Sequence, residues 1–568
     1  MFENNKILVV IPASGGSKDI PRKNVRILGE QPLISYSIKT AKNSKYVDDV
    51  VVSTDDDEIK FISEKFGATV VRRSTDLTGE DVPLDSVIYD ALLQKEKLVF
   101  DEYEIVITLQ PTSPILKTET LDLAIEKFSS TDVDSVVSVV EDDHLSWKLD
   151  ENTNRYYKQP LTKEFRETNA ILATKRTFLS ENSRLGNNID LIKLSYPEAI
   201  DINKREDWWT AERYVNKRRI VFKVDAFNKI GTGHIYRCMS MASKLLYHDI
   251  LFVLNKKHEL GIDILKKYDI PFVLHGNDKD LYKKIDEFKP DVVINDILNT
   301  SLDYISTLKS KGYFVVNFQD LGKGAEVADL VFDPFEESNL NDRNVFKGAM
   351  FYILKEEFFF QQPKIITQDV KNVLLTFGGV DNNNFTEKVL DAIIDSGYSK
   401  QIHVILGPGY SNKKDIEEKY KTHLNISIFS NINNISDFMV SADIIFTSAG
   451  MTMYEVCSLG VPCICLCQDE LELSRTFGNS SNGFINMGLG NNLSKEDISN
   501  QFIKLVNDFN LRKEMNKKML SINLKYGFDS VWSIMRPSYR NFTFQNRFKT
   551  WWLFLKINLR GTFCCILT

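Results

Sequence analysis

Two glycine-containing loops in this 568-residue chain lie where an apolar strand pattern passes into a helical pattern. The first loop is IPASGGSKDIPRKN at residues 11–24, and the second is IGTGHIYR at residues 230–237. At such a position in an open α/β sheet, free backbone N–H groups and the positive end of a helix dipole favour phosphate oxygens. The chain is therefore expected to be an α/β protein with two separate nucleotide sites.

Short β-branched runs alternate with helical patterns along the chain. The early runs fall at residues 6–12, 49–54, 68–72, 104–109 and 133–140. The later runs fall near residues 250–254, 291–296, 313–318, 372–377, 402–406, 426–429, 443–447 and 462–467. Continuous apolar strands that alternate with helices predict mostly parallel sheets covered on both faces. The pattern therefore predicts one Rossmann-like α/β domain followed by two doubly wound lobes.

Length and local charge suggest where these domains meet. Typical domain sizes predict about three to four units of roughly 150 residues. The charged stretch NKRR at residues 216–219 precedes a new strand and marks the main boundary. We predict domains at residues 1–217, 218–365 and 366–529, and a basic aromatic tail at residues 530–568. The tail is expected either to lie at a membrane interface or to pack against the protein body.

Composition excludes some classes of protein. The chain has 71 basic and 78 acidic residues, and this net charge of −7 argues against a general nucleic-acid binder. Its seven cysteines do not form a secreted disulfide pattern, and neither a signal peptide nor a run of about 18 apolar residues is evident, so a cytoplasmic enzyme is expected. Cys463, Cys465 and Cys467 alternate in one strand, where we interpret them as core thiols instead of metal ligands.

The first loop combines small residues with cations: Gly15, Gly16, Ser17, Lys18, Arg22 and Lys23. The small residues allow a tight backbone curve whose N–H groups converge on an anion, and the three cations lie beside that curve. A triphosphate is the expected ligand. An ordinary glycine turn with surface charge is the alternative, but the fixed order of strand, GGSK and PRKN makes that alternative weaker.

The second loop places a histidine at the end of a strand. His234 is expected to act as a general base near neutral pH. The residues around it are Asp225, Gly231, Gly233 and Arg237. A second group on the other lobe consists of Gly378, Gly379, Ser448, Gly450, Thr452 and Glu455. Its small residues suit a diphosphate at a helix start, and Glu455 suits ribose hydroxyls, although close helix packing also selects small residues.

Residues 1–216 resemble the acylneuraminate cytidylyltransferases through four blocks: IPASGGSKDIPRKN, VVVSTDDDEI, LQPTSPILKTETLD and AIDINKREDWWTAE. That family transfers CMP from CTP to the anomeric hydroxyl of a nine-carbon 2-keto sugar acid, with Mg²⁺, and releases pyrophosphate. The resemblance implies a nucleotidyltransferase fold, and a homodimer is one option because relatives are often dimers. It also implies that the first loop holds the triphosphate, with Lys23 and Asp201 as catalytic residues.

The same resemblance assigns further ligand contacts. Those to cytidine are Asn24 and either Arg72 or Arg73, those to the sugar acid are Gln110, Thr112 and Ser113, and those to the metal are Asp201 and Asn203. Two positions depart from the family pattern. Ser14 stands where relatives usually have arginine, which removes bidentate phosphate contacts. Asn203 stands where relatives have aspartate, so weaker Mg²⁺ binding is expected. The site is either active despite these changes or a scaffold.

Residues 219–527 resemble the UDP-2,4-diacetamido-2,4,6-trideoxy-altropyranose hydrolases, which are similar in fold to MurG-type GT-B glycosyltransferases. The blocks that carry this resemblance are VDAFNKIGTGHIYRC, LTFGGVDNNN and SAGMTMYEVCSLGVPC. The family cleaves a UDP-sugar with water, and its proposed base maps to His234. The leading hypothesis is a bifunctional enzyme of nonulosonic acid synthesis. The alternatives are a GT-B glycosyltransferase with an inactive first domain, and a non-catalytic nucleotide-binding assembly module.

Overall fold

The computed structural model describes residues 5–17, 19–78, 82–142, 164–227, 232–335, 344–430, 432, 434–536 and 538–539. Three groups of predicted residues lie outside these ranges: Lys18, Gly231 and the tail beyond residue 539, including Trp551 and Trp552. The chain divides into two compact units, Met1–Lys217 and Arg218–Thr568. Sheets flanked by helices form the centre of both units, which confirms the predicted α/β fold class.

The strands of the first unit are β1 (Ile7–Pro12), β2 (Ile27–Leu28), β3 (Gln31–Pro32), β4 (Asp49–Thr54), β5 (Thr69–Arg72), β6 (Ile105–Leu109), β7 (Ser135–Glu141), β8 (Phe165–Lys175) and β9 (Ile189–Lys193). Seven of them form one sheet in the order β5-β4-β1-β6-β8-β7-β9, and β2 pairs with β3. Strand β1 runs parallel to β4 and β6, whereas β8 runs antiparallel to β6 and β7.

The helices of the first unit are α1 (Ile34–Lys42), α2 (Asp57–Lys65), α3 (Leu84–Val99), α4 (Thr118–Ser130) and α5 (Arg205–Val215). Every residue of β1 is buried, because helices cover both faces of the sheet. Ile7 and Val9 belong to the core on one face, and Leu8 and Val10 to the core on the other. The first glycine loop consequently begins at the carboxyl end of an interior strand, where ligands of open α/β sheets usually bind.

The second unit begins with a lobe of seven parallel strands: β10 (Arg219–Val224), β11 (Asp249–Asn255), β12 (Phe272–His275), β13 (Val292–Asp296), β14 (Phe314–Phe318), β15 (Leu330–Asp333) and β16 (Val345–Lys347). Their order is β12-β11-β10-β13-β14-β15-β16. The helices of this lobe are α6 (Gly233–Lys244), α7 (Glu259–Lys267), α8 (Asp278–Phe288) and α9 (Leu302–Ser310).

A second lobe of six parallel strands follows: β17 (Asn372–Leu375), β18 (Gln401–Leu406), β19 (Ile426–Ser430), β20 (Ile444–Thr447), β21 (Cys463–Cys467) and β22 (Phe484–Leu489). Their order is β19-β18-β17-β20-β21-β22. The helices are α10 (Phe385–Asp395), α11 (Lys413–Tyr420), α12 (Ile435–Ser441), α13 (Thr452–Leu459), α14 (Glu470–Ser474), α15 (Lys495–Asn507) and α16 (Phe509–Ser521).

Each predicted strand is present, with ends within two residues of the predicted ones. The structure adds strands that the sequence did not predict, of which β8 is the longest. Its first residues, Phe165, Arg166 and Glu167, are exposed, so β8 lacks the continuous apolar run used to find the other strands. The three cysteines of β21 are fully buried in the core, as predicted.

The start of the predicted tail is wrong. Residues 527–536 form a continuous helix through position 530, and Val531 and Met535 are buried in the core of the first lobe. The Trp532 ring lies 5.6 Å from that of His248 and 6.1 Å from that of Phe528. For these residues, packing against the body replaces the membrane alternative. Across the described ranges, none of the helices combines the length and apolar character needed to cross a membrane.

Candidate functional site

The first glycine loop follows β1 and is held by surrounding polar groups. The Gly15 N–H donates to Asp55 Oδ1 at 3.0 Å, and the Ser14 hydroxyl donates to the Gly16 carbonyl at 3.2 Å. A Cβ at Gly15 would lie 2.8 Å from Asp56 Oδ2, so any larger residue would require the Asp56 side chain to move. The carboxylates that follow β4 therefore set the shape of this loop.

Asn24 closes the loop from the other side. It is buried, and its Nδ2 donates to the Ser14 carbonyl at 3.0 Å. Its Oδ1 is also buried but has no hydrogen-bond partner within the described ranges. Burying an acceptor without a donor is costly, so this oxygen is available to a donor group of a ligand. The amino group of cytosine is such a donor, and the contact between Asn24 and cytidine stays a prediction.

Arg22 has a different environment from the one the sequence predicted. Its backbone is left-handed, with φ of 59°, and its guanidinium pairs with Asp56 and Glu58. Asp56 also caps α2 by accepting from the N–H groups of Glu58 and Ile59. The hydrogen bond from Arg22 lowers the pKa of Asp56 below its usual value. The structure thus directs Arg22 toward α2, and its role in triphosphate binding stays a prediction.

Lys23 and the metal-binding candidates lie together. Lys23 Nζ donates to the Ile202 carbonyl at 2.7 Å, between Asp201 and Asn203. Burial lowers the pKa of Lys23, although Asp201 partly opposes that effect. Asp201 Oδ2 accepts from Asn203 Nδ2 at 3.0 Å, while the buried Oδ1 has no hydrogen-bond partner in the described part of the chain. Lys23 therefore contacts a residue 179 positions away in the sequence and lies near the charge of Asp201.

Asp201 and Asn203 could hold Mg²⁺, but with only one carboxylate they would bind it weakly. Protein sites for Mg²⁺ commonly supply one or two carboxylates, and substrate phosphates and water complete the octahedron. Asp201 offers an unpaired buried oxygen, and Asn203 lies beside it with an amide. The residues that the structure describes contain no cluster of three or more histidine, cysteine or acidic side chains suited to a metal. Mg²⁺ binding here would thus depend on the triphosphate.

The structure separates the two arginines that the sequence left as alternatives. Arg72 pairs with Asp57 at 2.6 Å on the surface, where 57% of its side chain is exposed. Arg73 is half-buried and donates to the Ser53 carbonyl at 3.0 Å, beside the β1 loop. Burial lowers the pKa of Arg73 below its usual value. Its position favours Arg73 over Arg72 as the ligand contact.

The predicted sugar-acid residues follow β6. The Thr112 carbonyl accepts from the Ile202 N–H at 2.9 Å, which joins this turn to the segment that contacts Lys23. Gln110 accepts through its carbonyl from the Ser37 hydroxyl at 3.0 Å. The hydroxyl of Ser113 is buried and has no hydrogen-bond partner in the described ranges. Ser113 is consequently the residue of this group best prepared for a polar ligand.

In the second unit, His234 is the second residue of α6 and is buried. Its Nδ1 lies 2.6 Å from Asp296 Oδ1, and Arg237 donates to both Asp296 oxygens at 2.7 and 2.6 Å. Asp296 ends β13, in the run VVIND, and is a site residue that the sequence did not predict. A carboxylate that closes an apolar parallel strand is the signal that could have identified it, because such strands end where ligands bind.

The charges in this group largely compensate each other. Burial opposes the ionisation of Asp296, but the positive charge of Arg237 and the contact with His234 outweigh it and lower the pKa of Asp296 to about 2. A carboxylate bonded to Nδ1 fixes the imidazole tautomer and leaves Nε2 as the proton acceptor. Within the described chain, Nε2 has no hydrogen-bond partner. This arrangement would allow His234 to act as a general base through Nε2, and that role stays a prediction.

Glycines allow the two lobes of this unit to approach each other. A Cβ at Gly233 would meet the Met451 sulfur, and a Cβ at Gly379 would lie 2.6 Å from Thr232 Oγ1. Gly378 has a φ of 79°, a conformation that disfavours other residues. Gly233, the neighbour of His234, thus lies close to the loop that precedes α13.

The predicted diphosphate loop joins β20 to α13. Ser448 and Thr452 are buried, and Gly450 lies between them at the start of that helix. Glu455 is buried one turn later, where its Oε1 pairs with Lys355 Nζ at 2.7 Å. The loop therefore has the small residues and helix start suited to phosphate. Lys355, which the sequence did not predict, holds the glutamate expected to face ribose.

Comparisons with known proteins match a different family in each of the two units. Residues 8–207 match the family described as cytidylyltransferase, and residues 373–527 match the glycosyltransferase family 28 C-terminal domain. The pseudaminic acid cytidylyltransferase of Campylobacter jejuni is 35% identical over 193 residues, which cover 31% of this chain and 82% of that enzyme. An uncharacterized protein of Methanocaldococcus jannaschii is 30% identical over 273 residues, 45% of this chain and 56% of that protein.

The chain thus spans little more than half the length of this archaeal relative. Among solved structures, MurG of Acinetobacter baumannii has a TM-score of 0.42 and 13% identity, and covers 56% of this chain and 99% of that one. The first unit defines a nucleotidyltransferase domain. The chain belongs to the cytidylyltransferase family, and its second unit contains a glycosyltransferase family 28 type domain in a two-lobed fold. The resemblance predicted for the first unit is confirmed.

Proposed function

We propose that the first unit transfers CMP from CTP to the anomeric hydroxyl of a nine-carbon 2-keto sugar acid. The family supports the reaction type, and the name of the Campylobacter relative supports the substrate class. The observation that carries the proposal is a set of buried atoms without a hydrogen-bond partner among the described residues: Asn24 Oδ1, Ser113 Oγ and Asp201 Oδ1. A nucleotide and a polyhydroxylated acid would bond to the first two, and Mg²⁺ would bind the third.

In this reaction the sugar oxygen attacks the α-phosphorus, the bond to the bridging oxygen breaks, and pyrophosphate leaves as the hydroxyl loses its proton. Positioned cations lower the barrier because negative charge grows on the phosphate and leaving group. Lys23 would supply such a cation. Asn24 and Arg73 would orient the base. Mg²⁺ held by Asp201 and Asn203 would neutralise further phosphate charge.

Pyrophosphate release tests this proposal. The protein, with Mg²⁺ and pseudaminic, legionaminic or N-acetylneuraminic acid, is expected to release pyrophosphate with CTP and to form the CMP-sugar. UTP and ATP serve as controls for base selection. If CTP gives no pyrophosphate with any of these acids, the scaffold alternative replaces this proposal.

We also propose that the second unit hydrolyses a UDP-sugar. Water would attack the anomeric carbon, the bond to the UDP oxygen would break, and His234 Nε2 would accept a proton from the water. Asp296 would hold the imidazole and stabilise its charged form. The buried His234–Asp296 contact carries this proposal, and the β20–α13 loop would bind the diphosphate at the start of α13.

The family 28 match favours one rival, transfer of the sugar to an acceptor hydroxyl. Incubating UDP-N-acetylglucosamine or a UDP-diacetamido sugar in H₂¹⁸O distinguishes the two reactions. Hydrolysis is expected to yield free sugar and UDP in equal amounts without any acceptor. UDP formation that requires an added acceptor would support the glycosyltransferase instead.

A further inference from the structure

Glu472 is an acidic residue beside the β20–α13 loop for which neither the sequence motifs nor the proposed reactions give a role. It belongs to the short helix α14, which follows β21. Its Oε2 accepts from the Gln468 N–H at 2.8 Å and from the Ala449 N–H at 3.2 Å. Ala449 lies between Ser448 and Gly450, so one of these bonds comes from the predicted diphosphate loop itself.

Both main-chain bonds end on the same carboxylate oxygen, which fixes the other oxygen in space. Oε1 makes no hydrogen bond within the described ranges, although the carboxylate is only half-buried. It points toward Gly450, where a Cβ would lie 3.1 Å from it. Glycine at this position therefore leaves space beside Oε1, between the glutamate and the start of α13.

A carboxylate oxygen such as Oε1 can bond to some parts of a nucleotide sugar and not to others. A carboxylate accepts hydrogen bonds, and a diphosphate at neutral pH offers only acceptors and negative charge, so the two repel. The hydroxyl and acetamido N–H groups of a sugar are donors, and a carboxylate bonds them strongly. Arg475, which donates to the Ala449 carbonyl at 3.3 Å, places a positive charge nearby that limits the repulsion.

We propose that Glu472 binds the glycosyl group of a nucleotide sugar, by accepting a hydrogen bond from a hydroxyl or acetamido N–H group through Oε1. The proposal rests on nucleotide-sugar binding by the second unit. The sugar of a nucleotide sugar is bonded to the distal phosphate, so a diphosphate at the start of α13 would place the sugar next to this loop. Glu472 then distinguishes a nucleotide sugar from the nucleoside diphosphate that remains after cleavage.

Calorimetric titration with UDP and with UDP-N-acetylglucosamine tests the inference. Glu472→Gln keeps a side-chain oxygen for the two main-chain N–H groups but removes the charge, and Glu472→Ala removes both. The affinity for UDP-N-acetylglucosamine is expected to fall about tenfold in the first variant and further in the second, while the affinity for UDP changes less than about twofold. Glu470→Gln, an exposed change in the same helix, is the matched control.

Each other outcome has a definite meaning. If the variants lose affinity equally for both ligands, Glu472 is a structural support of the loop. If the variants bind UDP more tightly than the wild type does, Glu472 lies at the phosphate position and repels the diphosphate. Either result, or unchanged affinities, overturns the inference and leaves the proposed hydrolysis intact. A wild-type protein that binds neither ligand overturns the proposed function of the unit and this inference with it. Thermal unfolding of each variant checks that the fold is retained.

Discussion

The two candidate sites balance buried charge in opposite ways. In the first unit, the hydrogen bond that Lys23 makes within the described ranges goes to a main-chain carbonyl, and Asp201 keeps a buried oxygen that has no hydrogen-bond partner there. In the second unit, His234, Arg237 and Asp296 bond to one another. The first group thus leaves polar atoms available to a ligand, whereas the polar atoms of the second group are already bonded to each other. A preorganised base suits attack by water, and an open cationic site suits a triphosphate.

The largest expected effect is that of Asp296→Asn. Asparagine keeps the size of the side chain but leaves the buried Arg237 cation unpaired, so the second unit should lose about 3–5 kcal/mol of stability. UDP-sugar hydrolysis should also fall sharply, because His234 loses its orienting carboxylate. Urea unfolding measures the first effect. Asp303→Asn, an exposed change in the first turn of α9, should cost less than about 1 kcal/mol.

The next largest effect is on the rates of the two proposed reactions, each of which should depend on one site alone. Lys23→Met should lower cytidylyl transfer about 10²–10³-fold, or about 3–4 kcal/mol, because a positioned cation is lost, and should leave UDP-sugar hydrolysis unchanged. His234→Ala should do the reverse. Steady-state rates of both reactions measure this, with exposed Lys60→Met as the control. If either variant lowers both rates equally, the sites are not independent.

The pH dependence of stability sharpens the comparison further. Asp296 has a pKa of about 2 in the folded protein against an ordinary value of 3.8. Because the folded pKa is the lower one, ionised Asp296 contributes about 2 kcal/mol of stability, fully present above about pH 4 and lost as the pH falls toward 2. The stability difference between wild type and Asp296→Asn should therefore shrink between pH 4 and pH 2. A constant difference would contradict this coupling.

The smallest expected effect is a gain in the first site. Asn203→Asp would add a carboxylate beside Asp201 and should lower the Mg²⁺ concentration for half-maximal pyrophosphate release about tenfold, or about 1.4 kcal/mol. Metal titration at saturating CTP measures it. Asn188→Asp, at an exposed position of the same unit, is the matched control. An unchanged Mg²⁺ requirement would show that residue 203 does not contact the metal.

Local patterns predicted much of the fold and part of each site. The strands with continuous apolar runs, the core cysteines and the position of His234 followed from short stretches of sequence. Strand β8, with its exposed polar start, did not, because its pairing depends on two strands distant in sequence. The tail boundary was wrong for a similar reason, since Trp532 packs against His248, which is distant in the sequence.

The sequence by itself determined the α/β class, the cytidylyltransferase family and the two glycine loops, because strand periodicity and loop composition are local properties. Only the tertiary structure decided that Arg22 pairs with α2, that Arg73 is nearer the first loop than Arg72, that Asp296 contacts His234, and that Glu472 contacts the β20–α13 loop. Pairing of charges depends on distances across a folded sheet. Residues that are far apart in sequence meet there because parallel strands end at a common edge.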